Sequence, residues 1–293
     1  MPENTFISQL NNHKILVADG ATGTNLIARG LPSGMTAETW VLEQPEKITQ
    51  LHRDFIQAGA DVILTSTFGA SSIRLKGSPL EGKADMINRK AVELAKEAVA
   101  GTQTFIAGSM GPVGQLLKPY GPLTSDEVQT AYAEQAHIIS DSGVDLLVLE
   151  TQFDMGEIKA ALSGIRAVSQ LPLIVSLSYD RGNRTMMGIS PTQAGKELET
   201  LPVEIIGINC GRSLDENYHN LVELRQVTTK PIWFKPNAGL PKLDSQGKTV
   251  YETSPQKMGE MADSWIDAGA QIIGGCCGTS PDHLKEISTH VYK

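Results

Sequence analysis

Short runs of mostly apolar residues recur along the chain, and each run gives way to glycine or to a polar residue. They occupy residues 15–18, 62–64, 105–107, 146–149, 173–177, 205–208, 232–234 and 271–273. Continuous apolar character over so few residues is typical of parallel strands that are buried on both faces. The pattern therefore predicts eight buried parallel strands.

Longer segments between the runs carry apolar residues at helical spacing, as Ile48, Leu51 and Phe55 do. This spacing predicts helices over residues 45–58, 84–100, 128–139, 214–227, 258–268 and 284–291 and after residue 191. In three nearly identical joints, at residues 58–61, 142–145 and 268–271, glycine ends a helix and a strand follows at once. The alternation predicts a (β/α)8 TIM barrel formed by residues 1–293 as one domain. A doubly wound open sheet is the alternative, because periodicity does not show whether the last strand pairs with the first.

Composition narrows the classes of partner. The 293 residues are 40% hydrophobic and 20% charged, with a net charge of −8, which fits a globular protein with a large core. The surplus of negative charge argues against nucleic acid or an anionic membrane as a partner. Residues 1–5 lack a basic segment followed by an apolar one, and no apolar run approaches the length of a membrane span. We therefore expect a cytoplasmic protein.

All three cysteines lie where predicted strands end. Cys210 follows the run at residues 205–208, whereas Cys276 and Cys277 follow the run at residues 271–273. Three thiolates suit a tetrahedral Zn²⁺ and leave its fourth position open, as in catalytic zinc sites. Glycines beside the cysteines allow the tight backbone turns that bring the sulfurs together. Ordinary core cysteines are the alternative; a disulfide is disfavoured because adjacent cysteines bridge only with strain and no oxidising compartment is indicated.

Polar residues at the other strand ends complete the candidate site, because the chemistry of such a barrel lies at the carboxyl ends of its strands. Asp19 and Glu150 are suited to bind a substrate ammonium group, unless they only cap loops or pair with surface lysines. The backbone N–H groups of residues 20–24 can hold a carboxylate. Three further polar residues are expected to contact the substrate: Ser66, Ser109 and Asn209. Together with a thiophilic metal, these groups predict an amino acid bearing a thiol as the substrate.

Five motifs of the chain resemble those of the homocysteine S-methyltransferase family. They are Asp-Gly-Ala-Thr-Gly-Thr at residues 19–24, Thr-Ser-Thr-Phe-Gly-Ala at 65–70, Glu-Thr-Gln-Phe-Asp at 150–154, Gly-Ile-Asn-Cys at 207–210 and Gly-Gly-Cys-Cys-Gly at 274–278. The likeness covers nearly the whole chain and is greatest to the homocysteine-binding module of cobalamin-dependent methionine synthase. It implies a zinc barrel in which the three cysteines are the metal ligands and therefore catalytic.

The resemblance also implies a role for each remaining strand-end residue. Asp19 and Glu150 would take the amino group of homocysteine, and Asn237 would close the fourth zinc position when no substrate is bound. The substrate carboxylate would be held by four consecutive residues: Ala21, Thr22, Gly23 and Thr24.

The reaction implied is a zinc-dependent transfer of a methyl group to the homocysteine thiolate, giving methionine. Only 5% of the chain is aromatic, which disfavours an aromatic cage for a small onium donor. We therefore expect methylcobalamin as the external donor, free or carried by a separate corrinoid protein. The chain lacks an Asp-x-His-x-x-Gly corrinoid motif of its own. S-methylmethionine or a betaine is the alternative donor, and a metal-free lyase or isomerase with Glu150 as base, or a zinc or redox sensor, is the alternative function.

Overall fold

A closed barrel of parallel strands forms the centre of the protein in a computed structural model, which describes residues 5–12, 14–32, 34–243 and 249–293. The strands are β1 (Leu16–Val17), β2 (Val62–Leu64), β3 (Phe105–Met110), β4 (Leu146–Gln152), β5 (Leu173–Leu177), β6 (Ile205–Cys210), β7 (Ile232–Pro236), β8 (Pro241–Leu243), β9 (Thr249–Tyr251) and β10 (Ala270–Ile273). All eight predicted strands are present. Strands β8 and β9, which were not predicted, form a separate antiparallel hairpin.

The first and last barrel strands show that the sheet closes on itself. Strand β1 pairs with β10 on one side, and Ala18 forms a parallel bridge with Val62 of β2 on the other. The Asp19 N–H donates to the Val62 carbonyl (2.9 Å), and the Asp61 N–H donates to the Val17 carbonyl (2.7 Å). The closure confirms the (β/α)8 barrel and excludes the open sheet.

Helices cover the outside of the barrel and one of its ends. They are α1 (Thr5–Asn11), α2 (Thr22–Ala28), α3 (Ala37–Glu43), α4 (Pro45–Gln57), α5 (Ser72–Leu75), α6 (Ala84–Val99), α7 (Ser125–Asp141), α8 (Met155–Val168), α9 (Pro191–Glu199), α10 (Leu214–Arg225), α11 (Pro255–Asp267) and α12 (Pro281–Val291). Helices α1, α2, α3, α5 and α8 were not among the predicted helices. No helix in the described ranges combines the length and the apolar character that crossing a bilayer requires.

Helix α2 replaces the turn that the sequence predicted at residues 20–24. Glycine and β-branched threonine are weak helix formers, so propensity alone does not indicate a helix there. Tertiary contacts supply the stability instead. The side-chain amide of Asn25 donates to the carbonyls of Ala21 (2.6 Å) and Thr279 (2.8 Å), and Leu26 is buried.

The barrel interior is apolar at its amino-terminal end and polar at its carboxyl-terminal end. At the bottom, α1 packs Phe6 and Leu10 into an inner cluster with Leu16 and Trp233. The Phe6 ring meets Phe105, the first residue of β3, edge to face at 5.3 Å. Helix α1 therefore closes the amino-terminal end, and a cavity can open only at the end where the polar residues lie.

The start of helix α7 offers a test of local stability. Thr124 caps the helix by accepting from the Glu127 N–H (3.3 Å), and Glu127 reaches back to the Thr124 N–H (2.8 Å). We expect Thr124→Ala to lower the free energy of unfolding by about 1 kcal/mol, because the Glu127 N–H at the helix start loses its acceptor. Denaturant unfolding measures this, with Thr130→Ala inside the same helix as the control. An equal loss in both variants would contradict the capping role.

Candidate active site

The three cysteine sulfurs form one cluster at the carboxyl end of the barrel. Their Sγ atoms all lie within 4.8 Å of one another, and the Sγ atoms of Cys210 and Cys276 are 3.0 Å apart. Zinc-bound thiolates lie about 2.3 Å from the metal, which places tetrahedral sulfurs roughly 3.8 Å apart. The sulfur–sulfur distances in the cluster, from 3.0 Å to at most 4.8 Å, lie on both sides of this value. Small side-chain rotations therefore suffice for a tetrahedral ion to bind.

The backbone at the cysteines is shaped to present the sulfurs. Cys210 has φ of 60°, which is uncommon for a residue with a β-carbon. Its carbonyl accepts hydrogen bonds from the Asn217 side chain (2.7 Å) and from the Asn237 N–H (3.2 Å), which hold this conformation. At Gly274 a β-carbon would lie 2.5 Å from the Ala18 carbonyl oxygen. Glycine there lets β10 approach β1 closely just before Cys276.

The charge of the thiol cluster favours a cation at its centre. Hydrogen bonds from Cys210 and then from Cys276 lower the pKa of Cys277 to about 4. The pKa of Cys210 is raised, first by its hydrogen bonds with Cys276 and Cys277 and then by burial. Three thiolates packed this closely repel one another, so a dication that offsets most of their charge would favour ionisation of all three. The donor set and its spacing fit Zn²⁺.

Asn209 connects the thiol cluster to the end of strand β4. Its amide group donates to the Thr151 hydroxyl (2.7 Å) and approaches the Cys210 sulfur (3.5 Å). Its carbonyl accepts from the Thr151 N–H (2.8 Å) and from Ser176 Oγ (2.7 Å). Thr151 also has a positive φ, of 59°. All four contacts are made within the protein, so Asn209 positions the walls of the site. Its predicted contact with the substrate stays a prediction.

Asn237 lies beside the cysteines at the end of strand β7. Its N–H bonds the Cys210 carbonyl, and its side-chain amide donates to the Gly211 carbonyl (2.7 Å). The Asn237 Oδ1 atom is buried and has no hydrogen-bond partner among the described residues. A buried amide oxygen without a partner is the kind of group that a metal ion satisfies. The structure thus places Asn237 beside the cysteines, and its role as a fourth zinc ligand stays a prediction.

A buried ion pair occupies the acidic end of the site. The Lys235 ammonium lies 2.5 Å from Asp19 Oδ1, and the two side chains are only 3% and 2% exposed. Asp19 Oδ2 accepts the Leu64 N–H at 2.8 Å. Burial alone would lower the pKa of Lys235, but Asp19 and then Glu150 raise it above its usual value. Lys235 is therefore a fixed positive charge inside the barrel.

Glu150 is the second carboxylate at this end. Its Oε1 accepts a hydrogen bond of 2.5 Å from Ser109 Oγ. Burial raises the pKa of Glu150 to about 7, with the charge of Lys235 acting in the opposite direction. The sequence correctly predicted that Asp19, Ser109 and Glu150 lie at one end of the barrel.

Lys235 was not among the predicted site residues, although the sequence carries a signal for it. Lys235 directly follows the apolar run at residues 232–234 and is two positions after Trp233, whose side chain faces the barrel interior. Alternation along a strand puts residues two apart on the same face. A lysine at that position is therefore expected to point inward, above Trp233, where the Lys235 ammonium lies 5.3 Å from the centre of the indole ring.

The predicted carboxylate-binding segment is the first turn of helix α2. The Ala21 N–H already bonds Thr279, through Oγ1 (3.1 Å) and the carbonyl oxygen (3.3 Å). The Thr24 hydroxyl accepts from the Gly278 N–H at 3.3 Å. Because the first N–H groups of a helix have no intrahelical acceptor, the amides of Thr22, Gly23 and Thr24 are the donors that this segment offers.

One cavity joins these groups. It has a volume of about 840 Å³ and is lined by the three cysteines, Glu150, Lys235 and residues 20–24. The Ser66 hydroxyl lies in its wall, is buried and has no partner among the described residues. Apolar side chains also line the cavity: Ile27, Leu31, Met35, Leu75, Pro79 and Leu80. The space exceeds what a small amino acid fills, so a second reactant can enter it.

Comparison with known proteins gives consistent results. A family model described as homocysteine S-methyltransferase matches residues 16–291. The chain is 30% identical over 295 residues to methionine synthase of Mycobacterium leprae, covering 95% of the chain and 24% of that protein. It is 28% identical over 305 residues to methionine synthase of Mycobacterium tuberculosis, covering 98% of the chain and 25% of that protein. The chain thus spans about a quarter of the length of these curated relatives.

Solved structures give the same result for the fold. The metallated form of the homocysteine methyltransferase MmuM from Escherichia coli matches with a TM-score of 0.83 and 26% identity, over 98% of this chain and 99% of that one. The oxidised form of the same protein matches with a TM-score of 0.81 and 25% identity, over 98% and 99% of the two chains. The resemblance drawn from the five motifs is confirmed.

Proposed function

The chain belongs to the homocysteine S-methyltransferase family, and we propose that it transfers a methyl group to the sulfur of homocysteine, giving methionine. The observation that carries this proposal is the convergence of three thiols on one cavity that also holds a buried acidic end. A thiophilic metal site beside groups that recognise an amino acid fits a substrate that carries both a thiol and an ammonium group.

The thiols of Cys210, Cys276 and Cys277 would hold Zn²⁺, with Asn237 Oδ1 as the fourth ligand before the substrate arrives. Bound there, Zn²⁺ would lower the pKa of the acceptor thiol so that it binds as a thiolate at neutral pH. A tetrahedral ion held by three thiolates would have one position left, which Asn237 Oδ1 would fill without substrate and the homocysteine sulfur would fill with it.

The rest of the site would hold the amino-acid end of homocysteine. The acidic end, where Glu150 lines the cavity, suits the ammonium group, and the amides of Thr22, Gly23 and Thr24 suit the carboxylate. Ser66 Oγ, buried without a partner, is a further donor for the substrate. These contacts would fix the substrate at both ends and leave its sulfur facing the rest of the cavity, where the donor would enter.

Methyl transfer is an in-line displacement, in which the sulfur–carbon bond forms as the bond between the methyl group and its donor breaks. No proton has to move in that step once the sulfur is a thiolate. The contribution of the protein is therefore to hold the thiolate in line with the donor and to exclude water, which is an effect of orientation. Asn209 and Thr151 serve this purpose by fixing Cys210 to the end of strand β4.

We infer a methylated corrinoid as the donor, supplied as methylcobalamin or on a separate protein that covers the cavity mouth. Phe68 is the one aromatic residue among the described cavity-lining side chains, and Arg74 stacks on it at 5.1 Å. An aromatic cage for a small onium donor is therefore not provided by the described residues. Exposed apolar side chains lie on segments that follow strand ends: Ile27, Met35, Tyr120, Met186, Leu240, Leu243 and Val250. Such side chains around a mouth favour contact with a large partner.

A donor comparison tests the proposed reaction. Zinc-loaded protein and homocysteine are mixed with methylcobalamin, S-methylmethionine or glycine betaine, and methionine is quantified over time. We expect methionine from methylcobalamin and little from the two small onium compounds. Replacing homocysteine with 4-mercaptobutanoate controls for reaction of free thiols with the donor. Efficient turnover of an onium donor with none from methylcobalamin would overturn the corrinoid assignment, and no methionine from any donor would contradict the methyltransferase activity.

A further inference from the structure

We propose that Lys235 is a specificity-determining residue that keeps Asp19 from the substrate, so that Glu150 alone contacts the ammonium group of homocysteine. This inference rests on the proposed function, since it names the contact that recognises the acceptor. It departs from the expectation that Asp19 and Glu150 share this role.

The hydrogen bonds of Asp19 are the first reason. One carboxylate oxygen pairs with the Lys235 ammonium at 2.5 Å, and the other accepts the Leu64 N–H at 2.8 Å. Both oxygens are therefore engaged before any substrate enters. To bind Asp19, a substrate ammonium group would have to displace the Lys235 ammonium, which belongs to the protein and is already in place.

Burial makes that displacement unfavourable. The two side chains are 3% and 2% exposed, so water does not weaken their attraction. The Lys235 ammonium also lies 5.3 Å from the centre of the Trp233 ring, which favours a cation at that place. A free amino acid gains nothing by replacing an equivalent internal cation, because it must also give up its translational freedom on binding.

The balance of charge points to Glu150 instead. The acidic end holds the two carboxylates of Asp19 and Glu150 and the single ammonium of Lys235. Since Lys235 neutralises Asp19, the carboxylate of Glu150 remains without a cation. Its one side-chain hydrogen bond within the described residues comes from Ser109. One substrate ammonium group at Glu150 would make this end neutral.

The test separates the two carboxylates by removing the ion pair as a unit. Isothermal titration of zinc-loaded protein gives the affinities for homocysteine and for 4-mercaptobutanoate, which is homocysteine without the amino group. Their ratio reports the ammonium contact alone. We expect Glu150→Gln to reduce this ratio about tenfold or more, since a hydrogen bond to a charged group is lost. The double variant Asp19→Asn with Lys235→Met should keep the ratio within about threefold of the wild type.

The single variants supply readouts that a purely structural role would not move. Asp19→Asn alone should reduce the ratio, because the unpaired Lys235 ammonium then turns to Glu150, and it should melt below the double variant. Lys235→Met alone should raise the ratio, because Asp19 becomes available to the substrate. The inference would be overturned if the affinity ratio fell as far in the double variant as in Glu150→Gln. It would also be overturned if the ratio were unchanged in Lys235→Met. Failure of both thiols to bind the wild-type protein would overturn the proposed function, and this inference with it.

Discussion

Replacing Cys276 with serine is expected to abolish stoichiometric zinc binding and, with it, methionine formation. A neutral hydroxyl is a much poorer ligand for Zn²⁺ than a thiolate, and the remaining thiols of Cys210 and Cys277 do not fill a tetrahedral site. Changes in residues that only support metal ligands cost ten- to a hundredfold in affinity, so loss of a ligand should cost more than about a hundredfold. Metal analysis after purification without added zinc measures the occupancy.

The control for this variant is a polar residue at another strand end. Ser178 follows strand β5, and its hydroxyl donates to Asp180 at 2.9 Å. Ser178→Ala should keep about one zinc ion per chain, as the wild type does. Full zinc occupancy in Cys276→Ser would show that the three thiols are not the metal site.

Glu150→Gln is expected to weaken homocysteine binding by about ten- to a hundredfold while leaving the zinc content unchanged. The glutamine amide keeps the size of the side chain and loses the negative charge, so a charge-assisted hydrogen bond of about 1.5 to 3 kcal/mol is removed. Calorimetry on the zinc-loaded variant measures the loss. Normal affinity for homocysteine with lost turnover would instead give Glu150 a role in the chemical step.

The pH dependence of binding gives a second test of Glu150. Burial raises its pKa to about 7, so the side chain is ionised above that pH and neutral below it. The ammonium contact is therefore present at high pH and is lost as pH falls through about 7. The affinity for homocysteine relative to 4-mercaptobutanoate should fall over this range, since thiol ionisation affects both ligands alike. Glu150→Gln should show a flat ratio, and a flat ratio in the wild type would contradict the assignment.

The barrel could be predicted because short stretches of the sequence specify its strands and the joints between helix and strand. Each buried strand is a short apolar run, and three helix-to-strand joints carry a glycine, Gly59, Gly143 and Gly269, which all have positive φ. Helix α2 was missed because the sequence around Thr22 has little helical propensity, and the helix depends on a contact between Asn25 and Thr279, which are 254 positions apart in the chain. The hairpin of β8 and β9 was also missed. Its Tyr251 ring packs against Gly278, where an added β-carbon would lie 2.2 Å from the ring.

The sequence by itself determined which residues meet at the mouth of the barrel. Parallel strands in a closed barrel bring their carboxyl ends together, so cysteines and carboxylates that follow apolar runs must share one rim. That reasoning placed Cys210, Cys276 and Cys277 at one site and Asp19 and Glu150 at the same end. It needed only the alternation of strands and helices.

Only the tertiary structure decided how those residues are paired. The contact between Lys235 and Asp19 joins residues 216 positions apart in the chain and depends on the stagger of β7 against β1 inside the closed barrel. The positive φ of Cys210 and the hydrogen bonds of Asn209 likewise depend on neighbouring strands. Spacing along the chain reports which end of a strand a residue occupies, whereas hydrogen bonds and ion pairs form across the barrel between strands whose register the spacing does not contain.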